Sequence, residues 1–575
     1  MTMIGIDLGT TNSLVCVYRN RKVELIPNGL GKFTTPSAVS LLDDGTVLIG
    51  EAAKERLISH PTRSAAYFKS FMGTDRHFKL ADKAWTAHEL SALVLKQLKR
   101  IAEDYLGEEV EEAIISVPAY FNDNQRNATR LAGKLAGLKV ARIINEPSAA
   151  ALRLHTESGE EENKILVIDF GGGTFDVSLV DCFENMIEII AIAGDNHLGG
   201  RDIDTAIVEY FCSSNNLSSK SLSPSQLSSL YRKAEQAKIC CQKEQAITAV
   251  LDREYSATLT PEILGQICEP LFLRARQVIA DVIRTSKAAS SAITKVALVG
   301  GSCQFEPFLS YLEKLLGRRP RLVENPEEIV AVGIGLCTAI KNRDISDIVM
   351  TDVCPFSLGI GTHNPWGDRL LMSVIIERNS ILPSRHSERF VTTSNNQTQI
   401  RCQIYQGEQR YVDGNLKIGE VTIDVPPAPK GSQFVDLAFS YDIDGILHVE
   451  AKGSGGNTRK AVIINPLLSF DETELEDKLE ELQLLRVNTD IQEEDRLMLA
   501  NLERLYAELT GPDRDYVGQL HSSYQEALLN GSLIHQKKLA IQIKKAILNY
   551  DYQLNSDPFM ILNDNEDTGS GGYLS

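Results

Sequence analysis

Two short turns rich in glycine and threonine carry the residue types that bind a polyphosphate. One spans Gly5–Asn12 and reads Gly-Ile-Asp-Leu-Gly-Thr-Thr-Asn, and the other spans Ile168–Asp176 and reads Ile-Asp-Phe-Gly-Gly-Gly-Thr-Phe-Asp. Glycine lets backbone N–H groups approach a phosphate, and threonine hydroxyls add donors. The aspartate that precedes each turn suits the water shell of Mg²⁺. One such turn is a weak signal, but two equivalent copies predict two lobes that clamp one polyphosphate.

A third glycine pair, Gly300 and Gly301, follows the apolar run Val296–Val299 and precedes a predicted helix over Glu306–Leu316. Backbone without side chains can pack closely against a nucleoside. On its own the pair is typical of any strand-to-helix turn.

The elements that must position these turns alternate between strand and helix over residues 1–344. Short β-branched runs predict strands at Met3–Ile6, Val15–Tyr18, Ala113–Val117, Ile165–Ile168 and Val296–Val299. Longer amphipathic stretches predict helices at Glu89–Tyr105, Asn122–Leu135 and Pro261–Ala288. This alternation predicts a duplicated α/β domain with a mostly parallel sheet.

The pattern changes after residue 344. Residues 345–352 are predicted as an interdomain linker, and residues 353–466 as an antiparallel β-sandwich, because short alternating runs are separated by Asp-Gly and Gly-rich turns. Those runs are Leu370–Ile376, Phe390–Thr393, Gln399–Tyr405, Gly419–Val425, Phe434–Tyr441, Leu447–Ala451 and Ala461–Ile464. Residues 467–555 are predicted as helices, and the first of them begins at the capping residue Asp471 and carries a leucine repeat. The polar tail 556–575 is predicted to be disordered.

Composition limits the partners. The 575 residues carry 59 Lys and Arg against 77 Asp and Glu, a net charge of −18, which argues against a nucleic-acid or anionic-membrane partner. The ten cysteines form no Cys-x-x-Cys pair, and the N-terminus lacks the basic and apolar segments of a signal peptide. The longest apolar run, Ile329–Ile340, is too short to span a bilayer. We therefore expect a reduced, cytoplasmic protein.

Six strings resemble the DnaK-type, seventy-kilodalton heat-shock chaperones. Besides the two turns they are Val117–Asp123 (VPAYFND), Ile144–Leu152 (INEPSAAAL), Ala193–Gly200 (AGDNHLGG) and, in the second block, Asp442–Val449 (DIDGILHV). The resemblance runs from Gly5 to about Asn555, and the compact length is most like the HscC-like branch. It implies an actin-like (RNase H-like) duplicated ATPase domain, a peptide-binding β-sandwich and a helical lid, with ATP or ADP and Mg²⁺ as ligands.

The resemblance also implies roles for individual residues in the ATPase domain. Asp7 and Asp169 would orient Mg²⁺ through its waters, while Lys69 and Glu146 would place the attacking water. The β- and γ-phosphates would be bound by Thr10, Thr11, Asn12, Gly171, Gly172, Gly173 and Thr174. The nucleoside would be held by Glu235, Lys238, Gly300, Gly301 and Glu327. Without the resemblance, Lys69 reads as a surface lysine and Glu146 as a helix cap.

Four residues match the family's coupling positions, and four match its peptide site. Pro118 and Arg126 match a relay, and Arg142 and Asp352 match a pair that helps couple a J-domain co-chaperone and the linker. Phe390, Ile400 and Cys402 match a pocket for an apolar peptide side chain, and Thr393 matches one side of an arch over the peptide. Plain sandwich core is the other interpretation of Ile400 and Cys402.

The chain departs from the family at several of these places. Gln304 stands where Arg is usual, Glu327 where Asp is common, Gln242 where Ser is common, and Thr351 lies inside a linker that is usually leucine-rich. The segments after Lys69 and after Lys238 are short, which puts exchange-factor contacts in doubt.

The function predicted is that of an ATP-dependent chaperone that binds exposed apolar peptide segments, with hydrolysis coupled to peptide affinity through the linker. Two alternatives are an ATP-sensing regulator of one partner and an actin-fold metabolite kinase.

Overall fold

The computed structural model describes residues 2–158, 162–241, 245–250, 254–287, 292–364, 367–463, 472–485 and 491–555. The tail 556–575, the proposed boundary at residues 466 and 467, Gln242 and the capping residue Asp471 lie outside the described residues. Among the described helices none combines the length and apolar character needed to cross a membrane.

The first lobe is built on a sheet with the strand order β11-β10-β1-β2-β3, in which β1 runs parallel to β10 and antiparallel to β2. Its strands are β1 (Thr2–Asp7), β2 (Asn12–Arg19), β3 (Lys22–Leu25), β4 (Thr35–Pro36), β5 (Ala38–Leu41), β6 (Val47–Ile49), β7 (Ser64–Ala66), β8 (His77–Leu80), β9 (Lys83–Thr86), β10 (Val110–Val117) and β11 (Lys139–Asn145). Its helices are α1 (Glu51–Ser59), α2 (Ala87–Leu106) and α3 (Asp123–Leu135), with 3₁₀ turns at Pro61–Arg63 and Phe68–Phe71.

The second lobe repeats this plan. Its strands are β12 (Asn163–Phe170), β13 (Phe175–Phe183), β14 (Met186–Asp195), β15 (Gln245–Val250), β16 (Glu254–Leu259), β17 (Lys295–Val299) and β18 (Arg321–Leu322). The hairpin of β12 and β13 corresponds to that of β1 and β2, and β17 lies parallel to β12 as β10 does to β1. The helices in sequence are α4 (Glu146–Ser158), α5 (Gly200–Ser214), α6 (Pro224–Ile239), α7 (Pro261–Ile267), α8 (Glu269–Thr285), α9 (Glu306–Leu316) and α10 (Ile329–Asn342), with 3₁₀ turns at Ser219–Ser221 and Gly301–Gln304.

Helices α4 and α10 form the packing layer between the two sheets. Residues of α4 and α10 share one buried cluster with Ile114 from the first sheet and Val167 from the second. Gly333 of α10 lies so close to α4 that a Cβ there would stand 1.9 Å from the carbonyl oxygen of Ala149. The apolar run noted in the sequence is therefore the helix that joins the lobes.

The prediction of one continuous helix over Pro261–Ala288 is wrong. The described segment forms α7 and α8, which meet at Cys268, and Pro270 lies in the first turn of α8. Proline has no N–H to donate to the carbonyl four residues earlier, and its ring clashes there, so one helix ends and another begins.

The linker and the sandwich follow. Strand β19 (Val349–Thr351) pairs in parallel with the start of β14 and so extends the second sheet. The sandwich has two sheets, with the strand orders β21-β20-β23-β24 and β22-β25-β26-β27. Its strands are β20 (Leu358–Thr362), β21 (Leu371–Ile376), β22 (Ser384–Val391), β23 (Gln399–Gln406), β24 (Leu416–Asp424), β25 (Phe434–Tyr441), β26 (Leu447–Gly453) and β27 (Thr458–Ile463), with a 3₁₀ turn at Val412–Gly414.

The C-terminal helices pack against the two-lobed α/β domain. They are α11 (Glu472–Leu484), α12 (Glu493–Glu508), α13 (Gly511–Asn530) and α14 (Leu533–Asn555). The predicted leucine face of α11 packs on the core of the first lobe, where Leu482 is buried. Helix α12 lies along α1, and Glu508 at its end accepts a hydrogen bond from Ser229 of α6 at 2.6 Å. The helices predicted as a lid for the sandwich thus bridge both lobes of the α/β domain in this conformation.

Candidate functional site: a cleft between two phosphate turns

The two glycine-rich turns face each other across a cleft of about 470 Å³ between the lobes. A Cβ on Gly172 would lie 1.8 Å from Thr11 Oγ1, so only glycine fits where the second turn meets the first. Of the predicted nucleotide residues, the cleft is lined by Asp7, Thr10, Thr11, Asn12, Lys69, Glu146, Asp169, Gly171, Gly172, Thr174, Glu235, Lys238, Gly300, Gly301 and Glu327. Gly173 lies behind this lining, packed against Thr10.

The catalytic pair predicted for hydrolysis is brought together at the floor of the cleft. Lys69 Nζ donates to Glu146 Oε1 at 2.8 Å, and both side chains are buried. Lys69 lies in the 3₁₀ turn Phe68–Phe71, and Glu146 opens α4 directly after β11. A buried ammonium beside a buried carboxylate can stabilise a developing negative charge and accept a proton.

The carboxylates around this pair repel one another. Burial, followed by the negative charge of Glu146, raises the pKa of Asp7 to about 7, although Lys69 lowers it. Burial also raises the pKa of Asp176 to about 7, and it raises that of Asp169 well above its usual range, with Glu146, Asp176 and Asp7 adding to the shift. This excess of buried negative charge is what a divalent cation would relieve.

The donor set fits Mg²⁺ held through water. Within the described ranges, no three His, Cys, Asp or Glu side chains are arranged as direct ligands of a metal ion. Asp7 is the last residue of β1 and Asp169 is the next to last residue of β12, on opposite lobes. Ser116 Oγ donates to Asp7 Oδ1 at 2.7 Å. Two facing carboxylates of this kind suit an ion that keeps most of its waters.

The nucleoside end of the cleft is formed by α6 and the third glycine pair. Lys238 Nζ lies 2.7 Å from Asp204 Oδ1, and Glu235 Oε2 lies 3.0 Å from Lys54 Nζ of the other lobe. Gly300 adopts the left-handed φ of 84°, and a Cβ on Gly301 would lie 2.6 Å from Glu327 Oε1. The turn therefore requires glycine, and Glu327 shapes the wall beside it.

Hydrogen bonds connect the cleft to the linker. Buried Arg126 donates to the carbonyl oxygens of Ala119 and Phe121 and to Asn145 Oδ1 at 2.6 Å, which ties the turn after Pro118 to the residue before Glu146. Asn145 Nδ2 in turn donates to Asp352 Oδ2 at 2.7 Å. The Pro118 carbonyl oxygen accepts from the Phe121 N–H at 3.2 Å. The predicted coupling residues Pro118, Arg126 and Asp352 thus belong to one continuous network.

Arg142 lies beside this network without joining it. Arg142 and Asp352 line the same small cavity, but within the described part of the chain no ion pair connects them, and Asp352 Oδ2 accepts from Asn145 and Ser148 instead. Arg142 and Asp352 therefore make no direct ion pair in this conformation, and their shared role in coupling stays a prediction.

The predicted peptide residues lie in or beside the sandwich core. Ile400 and Cys402 are buried in the main cluster of the sandwich, and Phe390 packs against it half-buried. Thr393 is exposed, with its N–H donating to Gln397 Oε1 at 3.0 Å. In this conformation the core interpretation describes Ile400 and Cys402.

The cleft also contains residues that sequence reasoning missed. Asp204 and Arg201, which follow the string Ala193–Gly200 on α5, line the cleft. Asp176 of the second turn is buried outside that lining, and its Oδ1 accepts a hydrogen bond from the Tyr120 N–H at 3.0 Å. Asp204 is the partner of Lys238, and Arg201 lies against Tyr67 from the other lobe. The sequence signal for Arg201 and Asp204 is that each is a charged residue in the first turns of a helix that follows directly after a glycine turn.

The match to a known family agrees with this geometry. A model described as Hsp70 protein matches residues 3–548, which span the ATPase domain, the sandwich and the helices. Proteins of this family are ATPases that bind ATP or ADP with Mg²⁺ and act as chaperones on unfolded peptides, together with co-chaperones. The cleft between duplicated phosphate turns, followed by a sandwich and a helical block, is the arrangement that this family implies, and the chain belongs to the Hsp70 family.

Proposed function

We propose that the chain couples ATP hydrolysis in the cleft to the binding of apolar peptide segments by its sandwich. The observation that carries this proposal is the continuous path from the catalytic pair to the linker. Lys69 contacts Glu146, the adjacent Asn145 contacts Asp352, and the strand β19 that precedes Asp352 is paired with the second lobe.

Hydrolysis breaks the bond between the γ-phosphorus and the bridging oxygen as a water attacks that phosphorus. Lys69 stabilises the charge on the γ-phosphate, and Glu146 orients the water and receives its proton. Thr10, Thr11, Thr174 and the glycine N–H groups hold the phosphates, since phosphoryl transfer is mostly positioning and charge stabilisation. Bound Mg²⁺, held through water by Asp7 and Asp169, would neutralise phosphate charge.

The metabolite-kinase alternative is not favoured, because the family match covers the sandwich and the helices as well as the ATPase domain. The roles of Phe390 and Thr393 in peptide binding, a J-domain co-chaperone, a cytoplasmic location and the HscC-like branch stay predictions from the resemblance.

A single-turnover experiment tests the catalytic assignment. Lys69→Ala should slow hydrolysis of bound ATP at least about a hundredfold, because it removes a charge-stabilising group, and should leave ATP binding largely intact. Lys134→Ala, an exposed lysine of α3, is the matched control. Hydrolysis at the wild-type rate in Lys69→Ala would remove Lys69 from the mechanism.

A peptide panel separates the chaperone from a regulator of one partner. The steady-state ATPase rate is measured with many short, unrelated apolar peptides and with scrambled polar peptides as controls. Stimulation by many apolar peptides supports the chaperone, and no stimulation by any of them contradicts it.

A further inference from the structure

Arg201 connects the second phosphate turn to the segment that carries Lys69. It is the second residue of α5, and its backbone N–H donates to the carbonyl oxygen of Gly172 at 2.9 Å, while that of Gly200 donates to Gly171 at 3.0 Å. These bonds fix the start of α5 to the turn Gly171–Thr174. The position of the Arg201 side chain is therefore set by the turn that lines the cleft.

The guanidinium of Arg201 lies between two tyrosine rings that come from different lobes. Its central carbon is 3.4 Å from the ring centroid of Tyr231, on α6 of the second lobe, and 4.5 Å from that of Tyr67, in the first lobe. A planar cation can stack on both ring faces at once. We call Tyr67, Arg201 and Tyr231 the arginine clasp.

Tyr67 passes this contact on to Lys69. Its φ of 60° and ψ of 17° are left-handed, an uncommon conformation for a residue with a Cβ, and it immediately precedes the 3₁₀ turn Phe68–Phe71. Lys69 therefore lies two residues after Tyr67, whose strained backbone is held in place by the stack on Arg201. A shift of the Tyr67 ring would move the backbone from which Lys69 reaches Glu146.

The clasp also divides two cavities. A second cavity of about 320 Å³ lies between α1 and α6 and shares Tyr67, Arg201 and Glu235 with the nucleotide cleft. Tyr231 lines the second cavity and is not among the residues that line the cleft. Loss of the Arg201 side chain would join the two cavities and open the cleft to more water.

We propose that Arg201 is a positioning residue for ATP hydrolysis, which places Lys69 through the stack on Tyr67 and Tyr231 when the two lobes close. The proposal rests on the catalytic role of Lys69 given under the proposed function. It predicts that the ring of Tyr231, outside the cleft, matters to hydrolysis because it holds Arg201.

The test is single-turnover hydrolysis of bound ATP in four variants. Arg201→Ala and Tyr231→Leu should each slow the chemical step about tenfold, the size expected for losing one well-packed cation–ring stack. The double variant should be no slower than Arg201→Ala alone, because both changes remove the same contact. Tyr231→Phe keeps the ring and should restore most of the rate lost in Tyr231→Leu.

Controls separate the clasp from folding and from the proposed function. Arg514→Ala removes a similar stack, 4.3 Å from the ring of Tyr506 in the helical block, and should not change the chemical step. ADP affinity and the melting temperature report whether each variant is folded. If Lys69→Ala hydrolyses ATP at the wild-type rate, the catalytic role given to Lys69 under the proposed function fails. If Lys69→Ala is inactive but Tyr231→Leu hydrolyses ATP at the wild-type rate, the clasp alone is overturned, whether or not Arg201→Ala is slow.

Discussion

Tyr441→Phe should release the sandwich from the ATPase domain without disturbing the fold of either. Tyr441, at the end of β25, donates its hydroxyl to Asp123 Oδ1 at 2.6 Å, and Asp123 is the first residue of α3 in the ATPase domain. Gln406 of the sandwich also donates to Asp123 Oδ1 at 3.0 Å and accepts from the Asp123 N–H at 3.0 Å. All three side chains are buried, so water cannot readily take the place of a hydrogen-bond donor that is removed.

The magnitude follows from that burial. A hydrogen bond to a charged group contributes about 1.5–3 kcal/mol, and this one exists only while the domains are docked. Phenylalanine keeps the packing of the ring and leaves Asp123 with one donor fewer. The ratio of docked to undocked protein should therefore fall roughly tenfold to hundredfold.

Energy transfer between dyes on the ATPase domain and on the sandwich measures this ratio. Where half of the wild-type molecules are docked, a tenfold change leaves about a tenth docked. Tyr405→Phe is the matched control, because the Tyr405 hydroxyl donates to Gln403 Oε1 at 3.1 Å inside the sandwich. A docked fraction in Tyr441→Phe equal to that of the wild type would show that this cluster does not hold the domains together.

Three further predictions concern the linker and the cleft. Thr351→Val should slow proteolysis near Met350 in the presence of ATP. The Thr351 hydroxyl is buried with no hydrogen-bond partner, and valine removes the desolvation cost of about 1–3 kcal/mol that this hydroxyl carries when the linker is docked. Unchanged cleavage would contradict this prediction. Asp176→Asn should raise the melting temperature of nucleotide-free protein more at pH 8 than at pH 5. Burial raises the pKa of Asp176 to about 7, so its ionisation lowers stability progressively as the pH rises from about 4 to about 7, and an equal gain at both pH values would count against this reasoning. Gln304 lines the cleft, and Gln304→Arg should slow release of a fluorescent ADP analogue by up to about tenfold in stopped flow, since a guanidinium can stack on adenine. Equal release rates would refute this reasoning.

Much of the cleft could be predicted because its residues stand in short local patterns. A glycine turn between two apolar runs indicates where N–H groups converge, so Thr10, Thr11 and Gly171 needed no knowledge of distant contacts. The contact of Lys69 with Glu146, and that of Arg201 with Tyr67, each join residues far apart in the chain. No periodicity reports such a pairing, and without the resemblance Lys69 reads as a surface residue.

Two strands of the sandwich, β20 and β22, are missed or shortened in the sequence prediction for physical reasons. Strand β20 contains Gly359 and Gly361, which hide the alternation of apolar side chains, and a Cβ on Gly359 would lie 2.0 Å from the carbonyl oxygen of Ser373 in β21. Strand β22 lies at the edge of its sheet, and its residues from Arg385 to Arg389 are exposed and mostly polar. Polar edge strands resist aggregation and for that reason resemble loops in a sequence.

The place of the helical block could not be predicted from the leucine pattern of α11. An amphipathic face shows that a helix packs on something apolar, but either the sandwich or the first lobe could supply that surface. Only the contacts of Leu482 with the core of the first lobe decide between them.

The way Arg504 is buried makes the helical block a part that can detach intact. Its guanidinium is fully buried and lies 2.6 Å from Glu55 of α1, but it also lies 2.7 Å from Glu508 and 2.8 Å from Asp551, which belong to the block itself. When the block leaves the ATPase domain, Arg504 keeps two carboxylate partners, and Glu55 on α1 gains access to water. Separation therefore leaves Arg504, a fully buried charge, with partners of its own, which lowers the cost of undocking. An interface of this kind suits repeated docking and release rather than permanent assembly.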